Sequence, residues 1–432
     1  MSVTGLRGAI LEAVEELSPR MVDVLREFVR IPTVNPPGEH YEKFVGYMGD
    51  LLDGLGYEVE VLRVPEERLP ELAPHGGGRP RPNLVARLPG DREGGSIHLN
   101  GHYDVVPAGS DWRHDPFGGE LEDGRVYGRG AADQKSGLAC QIFAVEALRR
   151  AGLDVGGRIV QSAVPDEETV GNRNAGMGFL VERGVIGAED TDAVIITEPF
   201  GPEGIGLGHK GAIWCEITFF GRKAHGSAPM LGLNAVELAA RFVSRVEEDL
   251  KPRLSQRRSS LAVTPAEAVC ATLSFDTVQG GTATNTVPDR CRLTFNRRLV
   301  PQERLEEARE EILSLLEAFA GETGIRYDYR ETYATEPVII PEDEPLVRVA
   351  RQAVRSLGME PRLLISAGSD DQRFVVHGAG IENCIVYGPG RTALSHIADE
   401  YVEVEDLVAA TKVLALILCG YLEAGEGDDH AG

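Results

Sequence analysis

The stretch RIVQSAVPDEET, residues 158–169, is a mostly apolar run followed directly by acidic residues. The stretch AVIITEP, residues 193–199, repeats this pattern, with Glu198 after another apolar run. Short apolar runs without regular polar alternation are typical of strands covered on both faces, as in a parallel sheet. The two stretches therefore predict a buried parallel sheet with acidic side chains at the ends of its strands.

Strand-like runs and helical patterns alternate through the rest of the N-terminal half. Further strands are predicted at residues 83–88 and 96–100, and helices at residues 137–152 and 177–184. This alternation is typical of an α/β fold, in which helices cover a mostly parallel sheet. Residues 66–82 are rich in Pro and Gly, so they are predicted to form a surface loop.

The order of predicted elements changes near residue 209. From there it is βαββαβ, which predicts a small open-faced sheet with two helices on one side, a ferredoxin-like arrangement. Its strands are predicted at residues 212–222, 271–278, 290–300 and 325–333, and its helices at residues 234–254 and 302–320. We therefore predict that a domain of residues 209–328 is inserted into a first domain made of residues 1–208 and 329–432. Helix and strand alternate again in that last part.

Composition indicates a soluble globular protein and argues against two kinds of partner. Lys and Arg number 44 against 68 Asp and Glu, a formal net charge of −24. Such a chain repels phosphate backbones and anionic membranes, so neither nucleic acid nor a membrane is an expected partner. Residues 1–30 carry acids at helical spacing and predict an amphipathic surface helix rather than an export signal. The apolar segment 407–422 is too short to span a bilayer.

The cysteines indicate the compartment. There are six, widely scattered and without a CxxC pair. This pattern favours reduced thiols rather than a disulfide framework, so we expect a cytoplasmic protein.

Histidine and acidic residues follow several predicted strands. They are His102 and Asp104, then Asp133 in a glycine-rich turn before a helix, then Glu167 and Glu168, then Glu198, with His396 in a fifth segment. In an open α/β sheet the carboxyl ends of the strands share one edge, and ligands bind there. We therefore expect these side chains to converge on one site.

Such a cluster of side chains favours a metal site. Carboxylates gathered in one crevice repel each other and take up protons, and divalent cations remove that conflict. Mixed His and carboxylate ligands suit Zn²⁺, with Co²⁺ or Mn²⁺ as alternatives. Two cations can polarise a carbonyl and lower the pKa of a bridging water, which then acts as a hydroxide. The Glu167-Glu168 doublet offers one ligand and one general base.

Taken singly, each residue also has a structural explanation. A lone His after a strand is more often structural than a ligand. Asp104 could complete a turn, and Asp133 could cap the helix that follows it. Acids at 167 and 168 would suit a helix N-terminus. Glu198 is harder to explain structurally, because a carboxylate ending an apolar strand is costly to bury unpaired.

Five motifs resemble the signature series of one family. They are GHYDVVP (101–107), GRGAADQKSG (128–137), PDEE (165–168), TEP (197–199) and SHIADEY (395–401). Together they resemble the M20 metallopeptidases, in particular the acetylornithine deacetylase/succinyl-diaminopimelate desuccinylase branch, and the resemblance runs from about residue 25 to residue 423. It implies a dimetal hydrolase that cleaves the amide bond of N-acyl amino acids, with a carboxypeptidase or dipeptidase as the alternative.

The resemblance also implies roles for the residues of the site. His102 and Glu198 would bind one cation, Glu168 and His396 the other, and Asp133 would bridge both. Glu167 would be the general base, and a metal-bridging hydroxide would attack the amide carbonyl. Asp104 would hydrogen-bond His102 and fix its ring. The peptide bond after Asp133 is expected to be cis.

The inserted domain matches the family's lid and dimerisation domain. In GRKAHGSAP (221–229), His225 would reach the active site of a partner chain in a homodimer and stabilise the oxyanion. Asn285, Arg298, Gly368 and Ser369 match positions that hold a substrate carboxylate. For Arg298 the alternative is an exposed strand residue. Two departures, Tyr103 and the loop GSDDQR (368–373), leave the acyl specificity open.

Other classes of protein fit less well. Gly206, Gly208 and Gly211 form a GxGxxG pattern, but a strand follows it, whereas a dinucleotide-binding fingerprint opens a helix. No GxSxG motif of a serine hydrolase occurs. A noncatalytic relative that only binds a ligand remains an alternative, although the set of ligands and a base is complete.

Overall fold

The computed structural model describes residues 3–90, 95–169 and 174–428. The chain forms two compact units. Unit 1 consists of Met1–Gly208, Ile340–Leu364 and Asp370–Gly432, and unit 2 of His209–Ile339 and Ile365–Ser369. The predicted domain limits at residues 208/209 and 328/329 stay a prediction.

The described chain contains ten α-helices, five short 3-10 or π-helical segments and seventeen strands. The helices are α1 Val3–Val29, α2 Tyr41–Gly54, α3 Leu69–Leu72, α4 Lys135–Arg150, α5 Met177–Glu182, α6 Ala235–Asp249, α7 Lys251–Leu254, α8 Leu305–Thr323, α9 Pro345–Ser356 and α10 Val404–Asp428. The strands are β1 Glu58–Arg63, β2 Pro82–Arg87, β3 Ile97–His102, β4 Glu120–Glu122, β5 Arg125–Tyr127, β6 Ile159–Val164, β7 Ala193–Ile196, β8 Gly204–His209, β9 Gly211–Phe220, β10 Ala262–Thr264, β11 Thr272–Gly280, β12 Arg290–Leu299, β13 Arg326–Thr335, β14 Val338–Ile339, β15 Arg362–Ser366, β16 Cys384–Val386 and β17 Tyr401–Glu403.

The main sheet of unit 1 confirms the α/β prediction. Its strands run in the order β1-β2-β6-β3-β7-β16-β8-β15. The central strands β6, β3, β7 and β16 are mutually parallel, whereas β1, β2 and β8 join the sheet antiparallel. Every residue of β3 and β7 is buried. The unbroken apolar run of β7 predicts this burial. β3 instead alternates apolar and polar residues, and the side chains of His98 and Asn100 are buried in hydrogen bonds with Ser162.

Helices on the sheet form the rest of unit 1. Helices α1, α4 and α10 pack against one another. In α4, residues 135–148 are all buried, because both α1 and α10 cover the helix. On another part of the sheet, α5 and the turn at Phe374–Ala379 pack together over the side chains of β7 and β16. Because helices cover the faces of the sheet, functional polar side chains can gather at the ends of its strands.

Unit 2 has the predicted ferredoxin-like element order. Strands β11-β12-β9-β13 form an antiparallel sheet, and the helices between them are α6, α7 and α8. Apolar side chains of α6 and α8, such as Phe242 and Phe319, pack with Phe219 of the sheet in one core. Asn234 caps α6 by accepting hydrogen bonds from the backbone N–H groups of Val236 and Glu237.

One part of the sequence prediction for unit 1 differs from the structure. Residues 66–82, predicted as a surface loop, contain α3, and Leu69, Leu72 and Arg81 in this stretch are buried. A high content of Pro and Gly predicts turns but does not predict which side chains are buried, so the composition did not indicate this burial. The predicted N-terminal helix is α1, although residues 1 and 2 lie outside the described chain.

The structure also bears on the cysteines and on membrane-spanning helices. All six cysteines are free thiols, and each except Cys270 is buried. Within the described residues, no helix has both the length and the apolar character needed to cross a membrane.

Candidate active site

The ends of three parallel strands bring the predicted site residues together. His102 is the last residue of β3, Glu167 and Glu168 follow β6, and Glu198 follows β7. In the register of the sheet, His102 is paired with Val164 and Asn100 with Ile196. The strands thus end at nearly the same level, so the side chains that follow them meet at one edge.

One group of possible metal ligands consists of His102, Asp133 and Glu198. His102 Nε2 lies 3.2 Å from Asp133 Oδ1 and 3.4 Å from Glu198 Oε1. The His102 side chain is buried, and its Nδ1 lies 3.0 Å from the backbone oxygen of Asp104. That contact orients the ring so that Nε2 faces the two carboxylates. We call this group the first cradle.

A second group consists of Asp133, Glu168 and His396. His396 Nε2 lies 2.9 Å from Glu168 Oε2 and 3.5 Å from Asp133 Oδ2. His396 has a positive φ of 64° and is more exposed than the other members. We call this group the second cradle. Asp133 belongs to both cradles and offers a different oxygen to each.

The spacing of these atoms fits divalent cations. Bonds from Zn²⁺ to His nitrogen or carboxylate oxygen are about 2.0–2.1 Å, so two ligands of a tetrahedral site are about 3.3 Å apart. The atoms of the first cradle are separated by 3.2 and 3.4 Å, and those of the second by 2.9 and 3.5 Å. The residues present therefore fit a pair of cations that share Asp133.

Electrostatics also favour cations here. Burial raises the pKa of Glu198 well above its ordinary value, and Asp133 adds to the effect. Burial likewise raises the pKa of Glu168, again with a contribution from Asp133. Burial disfavours the imidazolium of His102, yet Glu198, Asp104 and Asp133 raise its pKa well above the ordinary value. A cluster of carboxylates that would otherwise hold protons is stabilised in its ionised form by bound cations.

Glu167 lies beside the cradles but belongs to neither of them. Its Oε2 is 3.9 Å from His102 Nε2, farther than the oxygens of Asp133 and Glu198. Burial raises the pKa of Glu167 well above its ordinary value, and Glu198, Asp371 and Glu168 add to the shift although His102 opposes it. A carboxylate with a raised pKa next to a metal site suits proton transfer.

Asp104 contacts His102 and also the backbone of the Glu167-Glu168 doublet. Its carboxylate Oδ1 is 3.5 Å from His102 Nδ1, whereas its backbone oxygen is the closer partner at 3.0 Å. The carboxylate also accepts hydrogen bonds from the backbone N–H groups of Glu167 and Glu168, both at 3.2 Å. Asp104 therefore contacts His102 through both its backbone oxygen and its carboxylate, and it holds the Glu167-Glu168 doublet through the carboxylate.

Two further residues of the site were missed from the sequence. Gln134 donates a hydrogen bond of 2.6 Å to Glu198 Oε1, and the peptide bond between Asp133 and Gln134 is cis, as the resemblance implies. Asn35 donates from Nδ2 to Asp104 Oδ2 at 2.8 Å and to Asp166 Oδ1 at 3.0 Å. Gln134 lies inside the motif 128–137, which could have revealed it, but nothing near Asn35 indicates its role.

Gly137 allows the helix that follows Asp133 to approach β7. A Cβ at this position would lie 2.0 Å from the backbone oxygen of Thr197, which directly precedes Glu198. Any larger residue would separate the start of α4 from the end of β7. The segment GRGAADQKSG thus contains both Asp133, a candidate ligand, and the glycine that lets α4 approach the residue before Glu198.

The remaining predicted residues belong to unit 2. His225 and Asn285 are exposed. They lie on adjacent segments, since the backbone N–H of Gly226 donates to the backbone oxygen of Asn285 at 2.7 Å. Arg298 on β12 is half-buried, with its guanidinium 5.7 Å from the centre of the Trp214 ring. Ser369 Oγ lies 2.7 Å from the Tyr333 hydroxyl, and Gly368 N–H donates to Ser366 Oγ.

Comparisons with known proteins show that this chain is a metal-dependent amidohydrolase. A family model described as Peptidase family M20/M25/M40 matches residues 98–419, and the chain belongs to this family. The chain is also 30% identical, over 410 residues, to a succinyl-diaminopimelate desuccinylase of Methylobacterium radiotolerans. That match covers 92% of this chain and 95% of the relative.

Solved structures show the same fold at low identity. Human carnosine dipeptidase 1 is similar with a TM-score of 0.70 and 19% identity, covering 96% of this chain and 100% of that one. The dipeptidase Dug1p from Saccharomyces cerevisiae has a TM-score of 0.73 and 16% identity, covering 96% and 98%.

Proposed function

We propose that the protein hydrolyses the amide bond of an N-acyl amino acid, as a deacylase of the deacetylase or desuccinylase type. The observation that carries this proposal is the position of Asp133, which offers Oδ1 to His102 and Oδ2 to His396. A carboxylate that serves two His–carboxylate groups suits a pair of cations and a single reacting carbonyl between them.

The proposed cofactor is a pair of divalent cations, with Zn²⁺ favoured because His and carboxylate ligands are mixed and Co²⁺ or Mn²⁺ as alternatives. His102, Asp133 and Glu198 would hold one cation, and Asp133, Glu168 and His396 the other. When bound, such cations polarise a carbonyl and lower the pKa of water.

The residues of the chain then move the proton and hold the geometry. Glu167 would accept a proton from water and deliver it to the leaving nitrogen, since its carboxylate lies close to the cradles and has a raised pKa. Asp104 would hold Glu167 and Glu168 through their backbone N–H groups. Gln134 would hold Glu198.

The proposed substrate carries a carboxylate. The desuccinylase relative, by its name, removes a succinyl group from diaminopimelate, so an N-acyl amino acid with further carboxylates is our first choice. Asn285, Arg298, Gly368 and Ser369 would hold a carboxylate, since guanidinium and backbone or hydroxyl donors suit that group. His225 would act on the partner chain of a homodimer formed through the predicted lid domain, residues 209–328. A cytoplasmic location also stays a prediction.

Metal analysis combined with a substrate panel tests the proposal. The purified protein should bind about two divalent cations per chain, and a chelator should abolish turnover, which Zn²⁺ or Co²⁺ should restore. The panel consists of N-succinyl-diaminopimelate, N-acetylornithine, acyl-glutamates and dipeptides. Turnover of any of the first three, which are N-acyl amino acids, supports the deacylase, whereas turnover of the dipeptides alone supports the alternative carboxypeptidase or dipeptidase. A cation-loaded protein that is inert towards every amide would contradict both.

A further inference from the structure

The carboxylate of Glu400 accepts several backbone hydrogen bonds from the loop that carries Asp133. Its Oε1 lies 3.0 Å from the nitrogen of Gly130, 2.9 Å from that of Ala132 and 3.0 Å from that of Asp133. Glu400 is completely buried. Converging backbone N–H groups form a binding site for an anion, and here the side chain of the same protein occupies it.

The second oxygen of Glu400 is paired as well. Arg129 donates from Nη1 to Glu400 Oε2 at 2.5 Å, and the Arg129 side chain is also buried. The guanidinium lies 5.2 Å from the centre of the Trp112 ring. A buried carboxylate with a charged partner and several N–H donors is held in one orientation, because its rotation would break all of these bonds together.

Glu400 also joins two segments that are far apart in the sequence. It follows His396 by one short turn, and its backbone oxygen accepts a hydrogen bond from Gly128 N–H at 2.8 Å. One residue thus connects the loop that carries Asp133 to the segment that carries His396. Asp133 and His396 are two of the three members of the second cradle, whereas only Asp133 also belongs to the first cradle.

We infer that Glu400 is a positioning residue that fixes Asp133 and His396 relative to each other, and that it thereby sets the affinity of the second cradle for its cation. The inference rests on the ligand roles under Proposed function. Residues that orient metal ligands typically change metal affinity by about 10–100-fold when they are lost. The side-chain hydrogen bonds of Glu400 go to Arg129 and to the loop that carries Asp133, whereas the first cradle also contains His102 and Glu198, so the affinity of the first cradle should fall less.

The test is a titration of metal-free wild-type protein, E400A and E400Q with Zn²⁺ or Co²⁺ against a competing chelator, which yields an apparent Kd for each of the two cations. E400A removes both carboxylate oxygens, so the affinity of the second cradle for its cation should fall about 10–100-fold and that of the first cradle less. E400Q keeps one oxygen for the backbone N–H groups but turns an amide towards Arg129, so its effect should be intermediate. If E400A does not fold, the comparison of E400Q with wild type still decides.

Glu303→Gln is the matched control. Glu303 is a largely buried carboxylate of unit 2 that accepts from Val300 N–H at 2.9 Å and pairs with Arg257 at 2.8 Å. Its replacement should lower thermal stability while both apparent Kd values stay at the wild-type level. A general loss of stability in the Glu400 variants with two unchanged Kd values would overturn the inference. A wild-type protein that binds no cation would instead overturn the proposed function.

Discussion

Glu167 Oε2 lies 3.9 Å from His102 Nε2, whereas the oxygen of Glu198, in the first cradle, lies 3.4 Å from the same nitrogen. The proposed general base therefore lies outside the group of proposed metal ligands. We expect Glu167→Gln to retain about two cations per chain while kcat falls about 10²–10⁴-fold, because only proton transfer is lost. Elemental analysis and steady-state kinetics measure the two effects.

Glu168→Gln is the contrasting variant for this prediction. It removes a member of the second cradle, so both cation content and kcat should fall. Undiminished turnover in Glu167→Gln would remove Glu167 from the mechanism.

Arg81 forms a buried ion pair with Asp166, the residue that precedes the Glu167-Glu168 doublet. Arg81 Nε lies 2.6 Å from Asp166 Oδ2, and the two side chains are 1% and 2% exposed. We expect Arg81→Met to lower the free energy of unfolding by about 3–5 kcal/mol, because it leaves a buried carboxylate without its counter-charge. Urea denaturation measures the change.

The matched control for Arg81 is an exposed ion pair. Arg63 and Glu42 are 2.8 Å apart, with side chains 53% and 48% exposed. Arg63→Met should cost only about 0–1 kcal/mol. Equal losses in the two variants would show that burial does not set the contribution of the Arg81 pair.

Gly137→Ala should destabilise the protein although alanine favours helices. The added Cβ would meet the Thr197 oxygen at 2.0 Å, and a clash of this kind costs about 1–3 kcal/mol. Gly46→Ala in α2 is the control, since no atom lies within 4 Å of its Cβ position, and it should stabilise by about 0.5–1 kcal/mol. Thermal denaturation compares them, and a stabilised Gly137→Ala would contradict the contact between α4 and β7.

His114 should make thermal stability depend on pH. Its Nε2 lies 2.9 Å from Glu122 Oε2 and its Nδ1 3.3 Å from Asp399 Oδ1. The hydrogen bond to Glu122, followed by Asp399, raises the pKa of His114. A raised pKa in the folded protein means that the stabilisation is full below the unfolded pKa of about 6.5 and is lost as pH rises through the folded pKa.

Thermal denaturation of metal-free wild-type protein and His114→Gln across this pH range tests the prediction. The difference in Tm should be largest in acid and shrink as the pH rises above the folded pKa. His75→Gln, at an exposed histidine, should give a small difference that does not follow this trend. A difference for His114→Gln that is constant with pH would contradict the prediction.

The central sheet could be predicted because its strands are buried on both faces. The largely apolar runs at 159–164 and 193–196 are too short for helices, which favours strands, and the acids after them predict the edge that holds the site. The small sheet of β4, β5 and β17 was not predicted. Tyr401 pairs with Tyr127 in it, and pairing between such distant short segments leaves no local pattern.

Residues that support the site were harder to predict than its ligands. His102, Asp133 and Glu198 were found because their side-chain chemistry is suited to metals. Asn35 and Arg81 lie in stretches rich in Pro and Gly, where composition predicts turns but not which side chains point inward. Their roles follow only from contacts with Asp104 and Asp166 in the folded chain.

The two cradles draw on residues from His102 to His396, which precede and follow the sequence of unit 2. A cation pair held there would act as a removable cross-link between the first and last segments of unit 1, and it would stabilise the folded unit because the ions bind the assembled site and not the unfolded chain. Removal of the ions should therefore make unit 1 unfold locally more often and so be cleaved faster by an added protease.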